Sequence, residues 1–195
     1  MTLGEFSVTL SIAGAAPYAM QIVRGRIRPE RTTWFVWAII LALAVVSYRS
    51  SGANDSVWFL VGDLIITVVI FVLSLWRGQG GWTRLDIGCL VVAGLSLVLW
   101  WTSRLPLFAV WGTLLADAVA LIPTVVKSLR DPASESATAY VFSSLAALCG
   151  FVAVGQWDFT LLLYPAYLFL ANIVTALVVL VGKYQVSRLS AAEKV

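Results

Sequence analysis

Histidine is absent from the 195 residues, which removes histidine metal ligands and histidine acid–base catalysis. Charge is scarce. Only 12% of residues are Asp, Glu, Lys or Arg, against about 25% in a typical soluble domain. There are two cysteines, Cys89 and Cys149, and both fall inside apolar runs. Buried inert thiols are expected there rather than a disulfide framework. No glycine-rich phosphate loop, metal-ligand cluster or nucleophile constellation is visible, so no enzyme activity, cofactor or nucleic-acid partner is expected. Residues 1–6 carry Glu5 and no lysine or arginine. A basic n-region is therefore missing, and the first apolar run is expected to be a retained span.

What the chain has in abundance is apolar surface: 61% of it is hydrophobic. A soluble core of this size could not hide so much. A bilayer can, because lipid is then the solvent for the excess. The apolar runs predict seven spans, near 6–24, 32–49, 55–76, 85–102, 106–127, 137–155 and 159–182. Each is long enough to cross a ~30 Å hydrocarbon core as a helix. The runs are continuous rather than alternating, which favours helices over a barrel. Connections are short, and "QVSRLSAAEKV" reads as a polar tail.

Lysine and arginine set the expected direction. The connections after spans 1, 3 and 5 and the tail hold Arg24, Arg26, Arg28, Arg31, Arg77, Arg84, Lys127, Arg130, Lys183, Arg188 and Lys194; the other side holds only Arg49 and Arg104. Positive charge stays in the cytoplasm. The N-terminus is thus expected outside and the C-terminus inside a plasma membrane, with a bacterial inner membrane favoured by the trimmed loops. "Asn-Asp-Ser" at 54–56 fits a glycosylation acceptor and is read as chance.

Segments centred on proline recur at an offset of 106. Pro17 aligns with Pro123, Arg24 with Arg130, Thr32 with Thr138 and Trp34 with Tyr140. Spans 1–3 and 5–7 read as two copies of one three-helix unit, with span 4 joining them so that both run in the same direction. Residues 1–83 and 105–184 would be the repeats, 84–104 the linker helix and 185–195 a cytoplasmic tail.

This 3+1+3 layout, with a proline near the cytoplasmic end of spans 1 and 5, resembles the SWEET/PQ-loop transporter superfamily. The likeness covers nearly the whole chain through layout. The family's Pro-Gln dipeptide is missing: Tyr18 follows Pro17 and Thr124 follows Pro123, and Gln21 lies one turn on from Pro17, where the second copy has Lys127. The resemblance implies an all-α membrane transporter that moves a small polar solute such as a sugar, amino acid or vitamin. It also implies a site pairing an aromatic in the second helix of each unit with a polar residue in the third. Tyr48 precedes Asp63 by fifteen residues, as Trp157 precedes Asn172, which puts these pairs at an offset of 109.

Two acids lie well inside the spans, away from their ends: Asp63 in "FLVGDLIIT" and Asp117 in "TLLADAVAL". An ionised carboxylate at mid-membrane costs several kcal/mol and needs water, a partner or a proton. The functional reading is a solute or proton site; the structural one is an acid hydrogen-bonded across a helix interface. Pro17 and Pro123 each remove a backbone hydrogen bond and bend a helix, as a hinge for alternating access or as a static bend. Trp34, Trp76, Trp82, Trp100, Trp101 and Trp157 lie at span ends, where interfacial anchoring is expected. Trp37 and Trp111, one turn inside, could stack on a solute or pack. Ser143, Ser144, Thr67 and Thr175 could line a cavity or bond to their own helices. Membrane lipids are expected partners, and an oligomer is allowed but not required.

Three readings compete with transport. A retinal-type receptor needs a mid-membrane lysine in the last span, and Lys183 sits at its end. A scaffold leaves the repeat and the acids unexplained. An intramembrane aspartyl protease lacks its motif context.

Overall fold

The computed structural model describes residues 1–81, 83–103 and 106–192. Trp82, Arg104 and Lys194, and the side chains of Cys89, Trp100 and Pro123, lie outside the described residues. Seven α-helices follow in order: α1 Leu3–Val23, α2 Arg31–Ser50, α3 Val57–Arg77, α4 Arg84–Ser103, α5 Pro106–Arg130, α6 Ala137–Ala153 and α7 Phe159–Ala192. A short 3-10 turn, Pro132–Ser134, sits between α5 and α6. Among the described residues there is no strand, only an isolated bridge between Glu30 and Gln79.

Long apolar runs become helices in lipid because a helix satisfies its own backbone hydrogen bonds. Among the described residues, five stretches are long and apolar enough to cross a bilayer: Leu3–Val23, Arg31–Ser50, Val57–Arg77, Val110–Arg130 and Phe159–Arg188. The chain is a multi-pass, all-helical membrane protein. Helix α6 is apolar but has 17 residues, about 25 Å of helix, and ends short of the expected 155. Helix α7 runs 34 residues, so 185–192 continue the helix where a tail was expected.

Start signals are local. Thr2 caps α1: its hydroxyl accepts from the Glu5 N–H (3.2 Å), and the Glu5 carboxylate accepts from the Thr2 N–H (3.0 Å). Asp55 reaches across from the start of α3. One oxygen accepts from the Gly4 N–H (3.0 Å) and the other from the Thr2 hydroxyl. A carboxylate at a helix N-terminus is favoured by the helix dipole. The Asn-Asp-Ser segment thus fastens α1 to α3. Helix α1 stays continuous through Pro17, whose ring lies on the exposed face while its neighbour Tyr18 is buried.

In the packing order, α3 lies between α1 and α2, and α7 lies between α5 and α6. Helix α1 packs against α6, and α2 against α5, which closes a ring of six. Helix α4 stands outside the ring against α5, with a lesser contact to α2. Contacts between ends show which termini meet. At one end the Tyr48 hydroxyl donates to the Leu161 carbonyl (2.8 Å), and α1 meets Asp55. At the other, Lys127 Nζ donates to the Arg28 carbonyl (3.0 Å) and Lys183 Nζ to the Glu135 carbonyl (2.7 Å). The second end carries the arginines of 24–31 and is called the basic end below. On the flanks, Ile65, Val68, Val72 and Leu75 of α3 and Val174, Leu177 and Val181 of α7 are exposed. Such apolar outer faces suit lipid.

Small residues let the helices touch closely, as is usual in membranes. Gly14 of α1 lies against the Phe142 side chain of α6, with no room for a Cβ. Gly14→Leu is expected to force α1 from α6 at an overpacking cost of about 1–3 kcal/mol. Thermal unfolding in detergent should show a lower midpoint than wild type, and an unchanged midpoint would contradict the close crossing.

Candidate functional site: a cavity within the six-helix ring

The ring encloses a cavity of about 80 Å³. A single water needs about 10–15 Å³, so several waters or a small solute fit. Its described lining comes from all six ring helices. Helix α1 supplies Ser11, Ala15 and Tyr18; α2 supplies Trp34, Trp37 and Leu41; α3 supplies Asp63, Ile66, Thr67 and Ile70. Helix α5 adds Asp117 and Leu121, α6 adds Ala139, Tyr140 and Ser143, and α7 adds Leu168, Ala171, Asn172 and Thr175. On α3 and on α7 the lining residues fall at spacings of three, four and seven, which is one helical face.

Asp63 and Asp117 therefore share one polar space, and they interact electrostatically. Each has a hydroxyl partner. The Ser11 hydroxyl donates to Asp63 (2.9 Å), and the Tyr167 hydroxyl donates to Asp117 (2.7 Å). These bonds orient one oxygen of each carboxyl. Among the described residues, no lysine or arginine lines the cavity beside either acid. Asn172 also lines the cavity, while its amide donates to the Leu168 carbonyl of its own helix (2.8 Å). Ser143, Thr67 and Thr175 line it too; Ser144 instead donates to the Phe169 carbonyl (3.0 Å) and ties α6 to α7.

Tyr48 and Trp157 are not brought to this space. Tyr48 is fully buried toward the end opposite the basic one, where its hydroxyl is used by Leu161. It meets Phe59 and Tyr164 edge-on, at centroid distances of 6.5 and 6.4 Å. Trp157 lies in the α6–α7 connection and is 96% exposed. The expected aromatic–polar pairs are thus separated: Asp63 and Asn172 reach the cavity and their aromatic partners do not. The physical reason is helical phase and depth. Fifteen residues that span a turn between two helices do not fix which face either residue presents.

The aromatic wall comes from elsewhere. Trp34 is buried, not an interfacial anchor, and packs between Tyr18 (5.8 Å) and Trp37 (5.1 Å, edge-on). The indole N–H of Trp37 is buried with no hydrogen-bond partner. Trp111, by contrast, faces outward, as do Trp76 and Trp101.

At the basic end the cavity abuts a polar hub that sequence reasoning missed. Glu135 is 1% exposed. One carboxylate oxygen is ion-paired with Lys127, and the other accepts from the hydroxyls of Tyr18 (3.1 Å) and Tyr140 (3.4 Å). Both tyrosines line the cavity. Lys127 and Lys183 also donate to backbone carbonyls here, so the hub draws together α1, α5, α6, α7 and the α1–α2 connection. Lys127 is therefore a buried partner rather than a solvated loop cation. Gln21, expected as its counterpart, donates to the Pro17 carbonyl (3.2 Å) of its own helix. Nothing in "RDPASESATAY" separates Glu135 from a solvated loop acid; the only signal is a lysine eight residues earlier, which no helical spacing links to it.

Removing one partner of a buried ion pair costs about 3–5 kcal/mol because the other charge is stranded. Glu135→Gln and Lys127→Met should each lower the thermal unfolding midpoint sharply. The double variant should lose much less than the sum, since no charge is left unpaired. Additive losses would show that the pair is not coupled.

No protein-family profile, curated protein or solved structure matches this chain, so what the cavity does has to be read from its own residues.

Proposed function

We propose that this protein is a transporter that moves a small polar solute across a membrane by alternating access between two three-helix units, α1–α3 and α5–α7. The observation that carries the reading is the acid-lined cavity within the six-helix ring, which meets different contacts toward its two ends. Toward one end, Leu41 and Leu168 of the lining continue into the buried cluster of Tyr48, Phe59 and Tyr164. Toward the other stands the Glu135 hub. A scaffold needs no such polar space, and polar groups held inside a membrane are costly.

The packing pattern supports the two-unit layout. Exchanging α1 with α5, α2 with α6 and α3 with α7 converts the α1–α6 contact into the α5–α2 contact, and α3 between its neighbours into α7 between its own. The lining residues support it as well. Ser11 and Asp117, Ala15 and Leu121, Trp34 and Tyr140, and Trp37 and Ser143 stand 106 apart. Asp63, Ile66, Thr67 and Ile70 stand 105 from Leu168, Ala171, Asn172 and Thr175. In that register Thr67, not Asp63, is the counterpart of Asn172, which replaces the offset of 109. Helix α4 is then the linker, as in the SWEET/PQ-loop layout. Pro17 would act as the hinge of the first unit and Pro123 as that of the second. With no cation at the lining, a proton or the solute supplies the counter-charge of Asp63 and Asp117.

Asp63→Asn and Asp117→Asn keep the shape of the side chains and should preserve folding. Uptake into proteoliposomes by these variants, measured from pH 5 to 8, should fall or lose its pH dependence. Parental uptake by both variants at every pH would remove the acids from the mechanism.

Orientation is a separate expectation. Cysteines placed at 25–31 and 128–135 should be shielded from an impermeant reagent added to whole cells, and one at 50–56 should react. Labelling at 25–31 from outside would reverse the topology.

A further inference from the structure

The cavity's residues narrow the solute class. Among the described residues, two carboxyls line it, Asp63 and Asp117, and no lysine or arginine does. The nearest basic side chain at the hub, Lys127, is already ion-paired with Glu135. Ser11 and Tyr167 each donate one hydroxyl to an aspartate without supplying a positive charge. An uncharged sugar brings no counter-charge to the two acids, whereas a cation does. A strongly acidic solute would be repelled by both carboxyls.

A second observation is independent of the acids. Tyr18, Trp34 and Trp37 form a continuous aromatic wall, with adjacent centroids 5.8 and 5.1 Å apart. Tyr140 joins the lining from α6. Ring faces attract cations, tryptophan best of all, and most strongly where water is excluded.

We propose that the cavity binds a small monovalent organic cation. Its ammonium group sits between Asp63, Asp117 and the aromatic wall. The volume of about 80 Å³ suits a small cation rather than a disaccharide. This deepens the transport reading but does not need transport to occur, because binding alone tests it.

The test is direct binding to the purified full chain in detergent at low salt, by calorimetry, with choline, tetramethylammonium and glucose as probes. Choline and tetramethylammonium should bind, and glucose not at all. Asp117→Asn should weaken choline at least tenfold. Trp37→Leu removes a ring from the wall and should weaken both cations several-fold. Circular dichroism and the unfolding midpoint of each variant separate lost binding from lost fold. Should Asp117→Asn fail to fold, Asp63→Asn takes its place with the same expectation. Binding of glucose in preference to choline overturns the proposal, as does failure of both organic cations to bind. Unchanged binding of both cations to Trp37→Leu overturns the assignment of the aromatic wall. Proteoliposome uptake separates the two ideas: choline binding without uptake removes transport alone, and uptake of glucose without cation binding removes the cation site alone.

Discussion

A carboxyl cannot face lipid cheaply, and this chain keeps several of them within its helical bundle. Asp63, Asp117 and Glu135 each have to find donors there, because the surrounding hydrocarbon offers none. Much of the interior follows from that requirement. Ser11 is turned to Asp63 and Tyr167 to Asp117, while Tyr18, Tyr140 and Lys127 converge on Glu135. Each of these bonds joins different elements, so satisfying the acids also fixes which helices are neighbours. Apolar contact alone does little of this, since lipid tails are as apolar as leucine.

The acids are satisfied in two ways. Glu135 has a full cationic partner and two hydroxyls, and its surroundings are packed shut. Asp63 and Asp117 have one hydroxyl each and an open cavity beside them. A fully paired acid is a fastener. A half-paired acid that lines a cavity has hydrogen-bonding capacity left over. That difference, rather than the mere presence of membrane acids, separates the hub from the candidate site. Tyr18 and Tyr140 belong to both: their rings line the cavity and their hydroxyls close on Glu135. A change in the cavity's occupant would reach the hub through them, with no intervening residue.

Parts of the site were legible before any coordinates. Asp63 and Asp117 stand out because a window of apolar neighbours makes a lone acid visible, and both line the cavity. Asn172 was found by pairing it with Asp63, although Thr67 is the residue that matches it in the lining register. The tyrosine hydroxyls were not legible. Tyr167 lies fifty residues from Asp117, and Tyr18 lies 117 from Glu135. Such bonds depend on ring order, which no local spacing records. Trp34 misled for a related reason. A tryptophan one turn into a span suits a membrane interface and a bundle interior equally well, and only its helical phase relative to α1 decides.

The sequence by itself determined the membrane class, the seven helical segments and the need for a polar environment around Asp63 and Asp117. These follow from composition in windows of about twenty residues, the length over which a bilayer tests a chain. Only the tertiary structure decided that α3 and α7 each lie between two neighbours, that Tyr48 packs away from the cavity, and that a loop glutamate becomes a fully enclosed charge. The reason is geometric. Burial of a side chain at a helix end is set by which other helix ends arrive beside it, and that is a property of the packed ring rather than of any stretch of chain.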